Sequence, residues 1–120
     1  MREDVKKMRR VYIAHPLRGE RPDDLMAITD NQNRVRKICL DISKNERGVL
    51  ILSPIHAFSF FPVQGDHKRA LAMCRELLSM ADEVRFYGNW QRSEGCRMEF
   101  ELAMKLGKLV NFPEDDNAAG

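Results

Sequence analysis

Short apolar runs of strand length alternate along this chain with longer segments whose apolar residues recur at helical spacing. Arg10-Val11-Tyr12-Ile13-Ala14 reads as a buried strand. It is ended by His15-Pro16-Leu17-Arg18-Gly19, where proline and glycine force a loop. A long helix is expected from about Pro22 to Asn45, with Ile28, Val35, Ile38, Cys39 and Ile42 on one face and a stop signal from Asn45 to Gly48. Val49-Leu50-Ile51-Leu52 is a second strand, ending at Ser53-Pro54. The segment from Ile55 to Asp66 is an aromatic-rich loop, long for a compact α/β unit, and a fifth strand would have room only there. His67 to Ala81 reads as a helix with Leu71, Cys74, Leu78 and Ala81 inward. Glu83 to Tyr87 is the third strand, and Glu94 to Leu106 a helix with Met98, Leu102 and Leu106 four apart and Gly107 as its cap. Leu109 to Phe112 is the last strand. Such alternation predicts a parallel sheet with helices on both faces.

A chain of 120 residues, 43% hydrophobic and 32% charged, suits one domain with one core. We expect a flexible basic N-terminus over 1–9, a single domain over 10–112 and a disordered acidic tail over 113–120. The net charge of +2 makes no case for a nucleic acid polymer as partner. Lys6, Lys7, Arg9 and Arg10 form the most basic cluster, read as solubilising a frayed end. No apolar run approaches the roughly 18 residues of a membrane span, and the N-terminus lacks the apolar core of a secretory signal. Cys39, Cys74 and Cys96 are widely spaced and odd in number, which suggests neither disulfides nor zinc but a reducing, cytoplasmic setting. Cys39 and Cys74 fall on apolar helical faces and read as core. No metal site and no cofactor motif is read.

Ligands of open α/β sheets bind outside the carboxyl ends of the strands. Three loops should therefore meet there: His15–Gly19, Ser53–Phe61 and Gly88–Gly95. Ser93 and Gly95 precede a helix, so backbone N–H groups there can face an anion. Glu99 follows about one turn later. A carboxylate so placed is stabilised in its charged form and can act as a nucleophile in glycosyl transfer. From the residues alone, a helix-dipole or capping role for Glu99 is the stronger reading.

The Tyr12-Ile13-Ala14-His15-Pro16-Leu17-Arg18-Gly19 stretch resembles the YIAGP opening of the nucleoside 2-deoxyribosyltransferase-like superfamily. Asn31 falls where relatives often carry an asparagine, and Ala81-Asp82 resembles their "aD" before the third strand. Gly88 to Glu99, followed by Ala103 and Gly107-Lys108, is similar to their GW..S.GA..E...A...GK. Within that superfamily the resemblance is to the DUF4406-like branch of small bacterial and phage proteins. It implies a Rossmann-like or flavodoxin-like three-layer sandwich with a parallel sheet of four to five strands. It also implies a nucleoside or nucleotide ligand, with Glu99 as the nucleophile that attacks the anomeric carbon and Asp82 supporting the site. Asp82 equally reads as a helix-to-strand turn residue. Small members often assemble, so a homodimer or higher homo-oligomer is expected.

Two departures from the pattern stand out. Transferases carry an aspartate six residues before the nucleophile, where this chain has Ser93. Ser93 and Arg18 suit a 5′-phosphate better than a free nucleoside. His15 replaces a small glycine, bringing bulk or a group that titrates near neutrality. His56, beside Ser53 and Pro54, is a second candidate acid. For each histidine, packing or a backbone hydrogen bond is the alternative. Trp90 is a candidate for stacking on a base, and Phe58, Phe60 and Phe61 for a lid or a dimer contact. The resulting expectation is an N-glycosidic bond enzyme of deoxyribosyltransferase type that hydrolyses a nucleoside 5′-monophosphate. The alternative is a nucleotide-binding or sensor module without turnover, of phage or defence association.

Overall fold

The computed structural model describes residues 7–18, 24–62 and 65–115. Its elements run β1 (Arg9–Ala14), α1 (Leu25–Asn45), β2 (Val49–Leu52), α2 (Pro54–Ala57), α3 (His67–Ser79), β3 (Glu83–Phe86), α4 (Glu94–Lys105) and β4 (Leu109–Asn111). A single turn of 3-10 helix at Trp90–Arg92 leads into α4. The four strands form one parallel sheet in the order β2-β1-β3-β4. This is the order of the flavodoxin-like α/β fold, whose strand sequence reverses between β1 and β3 and opens a crevice there.

One helical layer lies on each face. Val11 and Ile13 of β1 pack with Val35 and Ile42 of α1, together with Ile55 and Tyr87. Tyr12 and Ala14, from the other side of the same strand, pack with Leu78 of α3, Ala103 of α4, Val84 and Phe86. A strand buried on both faces must be apolar at consecutive positions, and for that reason β1 reads as an unbroken run.

Local chemistry sets the boundaries. Asp24 caps α1 by accepting from the Ala27 N–H, so the described helix starts at Leu25; Pro22 and Asp23 lie outside the described residues. Asp66 caps α3 through the N–H groups of Lys68 and Arg69. Gly48 and Gly107 turn the chain with positive φ. No strand forms between 55 and 62; the chain makes the short helix α2 and then turns. The sheet therefore has four strands among the described residues.

The buried faces of α4 and β3 are partly polar. On α4 the deeply buried residues are Cys96, Glu99 and Ala103, whereas Leu106 caps the helix and is exposed. On β3, Val84 and Phe86 enter the apolar core, whereas buried Glu83 and Arg85 occupy the alternate positions. The Arg85 guanidinium donates to both oxygens of Glu46 at 2.8 Å and to Glu83 at 2.7 Å. Arg9 adds an ion pair to Glu83 at 3.3 Å. Arg9 and Arg10 are thus tied to carboxylates at the sheet margin. Residues 1–6 and 116–120 lie outside the described residues, while 113–115 make a helical turn. There Glu114 accepts a hydrogen bond from the Gly88 N–H at 2.6 Å.

Candidate functional site

Loops from three strand ends converge on a cavity of about 490 Å³. After β1 come His15, Leu17 and Arg18; after β2, Pro54, Ile55, Phe58 and Phe61; after β3, Arg92, Ser93 and Gly95. The convergence follows from parallel strands delivering their loops to one end of the sheet.

Glu99 reaches this cavity from the second turn of α4 and is 6% exposed. The buried Tyr12 phenol, from the middle of β1, donates a hydrogen bond to its Oε2. Burial pushes the Glu99 carboxyl up to about 7, against the opposing pull of the Tyr12 hydrogen bond and of the nearby Cys96 thiol. Burial likewise raises the Tyr12 phenol well above its ordinary value, the Cys74 thiol to about 11 and the Cys96 thiol to about 12. All three stay protonated at neutral pH, and Glu99 alone of the four titrates there. A surface helix-dipole glutamate would be solvated; this one is enclosed.

Ser93 is the N-cap of α4, its Oγ accepting from the Cys96 N–H at 3.2 Å. Gly95 follows in the first turn. A Cβ built on it would meet Leu71 at 3.5 Å and the Ser93 Oγ at 3.9 Å, which is ordinary contact. His15 lies against Gly88, where a Cβ would come within 3.1 Å of its Nε2. Its Nδ1 hydrogen-bonds the Pro16 carbonyl at 2.7 Å, and burial lowers its pKa. Neutral imidazole with Nδ1–H leaves Nε2 as an acceptor. Asn31 of α1 donates to the Leu17 carbonyl at 2.8 Å and so fastens the loop that brings Leu17 and Arg18 to the cavity.

Several other sequence-predicted residues stand elsewhere. Gly19 lies outside the described residues. Asp82 precedes β3 and therefore sits at the opposite end of the sheet, where it accepts from the Arg10 backbone N–H at 2.8 Å and from its guanidinium at 3.2 Å. Strand polarity, not side-chain chemistry, removes it from the cavity. Trp90 packs among Phe86, Phe100 and Phe112, with ring centroids 4.9 to 5.5 Å away, and does not line the cavity. His56 is exposed, paired with Ser53 at 2.8 Å, and neither of them lines it. Pro16 contributes its carbonyl to His15 rather than a wall.

The lining also holds residues that sequence reasoning did not assign to a site, among them Gln32, His67, Cys74, Arg92 and Glu94. Gln32 and Cys74 stand on helices, where only the fold shows which turn overlooks the crevice. Arg92 directly precedes Ser93, a proximity visible in the sequence.

Among the described residues, no helix is long and apolar enough to cross a membrane. No curated protein matches the chain. A 2-desoxiribosyltransferase from Leishmania mexicana is similar in structure, with a TM-score of 0.52 and 18% identity over 87% of this chain. This chain spans 63% of the length of that protein, and the likeness is one of fold. Residues 9–112 match the family described as Domain of unknown function (DUF4406), and the chain belongs to that family, with the fold of the nucleoside 2-deoxyribosyltransferase-like proteins.

Proposed function

We propose that the cavity binds a nucleoside 5′-monophosphate and that Glu99 is the nucleophile that cleaves its N-glycosidic bond. The observation that carries this is a buried carboxylate, oriented by a phenol, in the wall of a strand-end cavity. Arg18, Arg92 and the N-terminus of α4 at Ser93–Gly95 supply positive potential for the phosphate. Apolar walls from Leu17, Ile55, Phe58 and Phe61 suit the base. The structurally similar Leishmania protein is named for the transfer of a 2-deoxyribosyl group, which is consistent with a deoxyribosyl compound as ligand.

In this reading a Glu99 oxygen bonds to the anomeric carbon as the carbon–nitrogen bond breaks. The bonding pair leaves with the base, which takes up a proton from solvent. Water then opens the glycosyl ester, releases the sugar phosphate and restores the carboxylate, with net retention. Only ionised Glu99 can attack. Because its carboxyl is raised to about 7, the rate should climb as pH rises through that value and level off above it.

Incubation with a panel of deoxynucleosides and their 5′-monophosphates, with free base read by chromatography, tests the proposal. Base release from a monophosphate, abolished by Glu99→Ala, supports it. A second reading, binding without turnover, draws on the position six residues before Glu99, where Ser93 is spent as a helix cap and offers no second acid. Binding of a monophosphate without base release would favour that reading.

A further inference from the structure

Cys96 and Glu99 stand three residues apart on α4, which puts their side chains on one face of the helix. Side chains in a helix lean toward its N-terminus, so the Glu99 carboxylate is carried back over the turn that begins at Cys96. Both are buried, Cys96 at 2% exposure and Glu99 at 6%, and both line the same cavity. The backbone of Cys96 is fixed by the Ser93 cap. A carboxylate has room for about four hydrogen bonds, and Tyr12 supplies one, to Oε2. The groups facing Glu99 are Tyr12 from β1, Cys74 from α3 and Cys96 from its own helix. His15, Arg18, His67, Arg92 and Glu94 also line the cavity.

We propose that Cys96 is a positioning residue for Glu99: its thiol is the second hydrogen-bond donor to the carboxylate, and with Tyr12 it fixes the rotamer and favours the ionised form. The acid–base balance agrees. The Cys96 thiol, pushed up to about 12 by burial, keeps its proton and remains a donor across the neutral range. The same contact opposes the burial that raises Glu99. The consequence for catalysis rests on Glu99 being the nucleophile; the contact itself does not.

The test needs no substrate. In protein carrying ¹³C-carboxyl-labelled glutamate, the Glu99 resonance is assigned by its loss in Glu99→Gln and titrated by NMR. Cys96→Ala removes the donor and should move the midpoint up by roughly half to one pH unit. Cys96→Ser keeps the geometry, provides a stronger donor and should move it below wild type. Cys39→Ala, on the α1 side of the sheet, should leave it in place. A wild-type midpoint in Cys96→Ala, or an unchanged or raised midpoint in Cys96→Ser, overturns the proposal, and either variant decides it alone. Should wild type cleave nucleotides, the lower limb of the pH–rate profile must follow the NMR midpoints while KM stays constant. Cleavage with immobile midpoints removes Cys96 only. Mobile midpoints with no cleavage of any nucleotide remove the enzymatic reading and leave the contact standing.

Discussion

Glu99 carries a cost that the fold retains. Its carboxyl titrates near 7 in the folded chain, against 4.5 for an ordinary glutamate. An acid whose folded value is raised loses stability as pH climbs from the unfolded value to the folded one. The loss is absent below about pH 4 and complete above about pH 8, and amounts to about 3 kcal/mol. Glu99→Gln removes the buried charge, and its amide oxygen can still accept from Tyr12. Thermal unfolding at pH 5 and pH 8 should show this variant close to wild type at the lower pH and more stable at the higher, with base release abolished at both. Equal melting at pH 8 would mean that the carboxylate is better solvated than its burial indicates. In the sequence it was the resemblance of Gly88–Lys108 to a family pattern that singled out Glu99; the residues alone favoured a helix-dipole role. Asp82 and Trp90 lie in segments of the same resemblance, His56 was chosen for its place on a strand-end loop, and all three stand outside the cavity. Spacing within a segment does not say which end of a strand a residue occupies, nor which neighbours fill the space around a ring.

At the scale of elements, two glycines should respond in opposite ways. Gly88 has a φ of 65° and touches His15, so Gly88→Ala meets both a left-handed backbone and a clash. It should cost roughly 1–2 kcal/mol in thermal unfolding, whatever ligand is present. Gly95 has room for a methyl group beside Leu71. Gly95→Ala should leave stability unchanged or raise it by up to about 1 kcal/mol, while weakening monophosphate binding roughly tenfold or more in a calorimetric titration. Tight binding by Gly95→Ala would move the phosphate away from the start of α4. The elements themselves were largely legible: β1, β2, α3 and α4 follow from apolar runs, caps and helical spacing. The buried face of α4 was not. Met98, Leu102 and Leu106 mark its apolar stripe, but the face that meets the sheet is Cys96–Glu99–Ala103, polar at Glu99 because the cavity lies against that turn. Nor was α2, whose four residues are too few for periodicity to register.

The whole molecule places one four-stranded sheet between two helical layers and opens it at the reversal between β1 and β3. That much was readable from the alternation of segments, because parallel strands need helical crossovers. A ligand that binds only the folded state, at a hundred times its dissociation constant, stabilises by about 2.7 kcal/mol. For a chain of this size that raises the melting temperature by roughly 10 °C. Deoxynucleoside monophosphates should produce such a shift, and its absence across the panel would count against both functional readings. The Glu99 carboxyl has one more consequence, for heat. Near pH 7 about half the molecules carry its proton. A ligand that selects the ionised form must expel that fraction into the medium. The apparent binding enthalpy will then depend on the buffer that captures the proton. Titrations in PIPES and in Tris at the same pH should differ by about half the difference in the two buffers' ionisation enthalpies, and by almost nothing in Glu99→Gln.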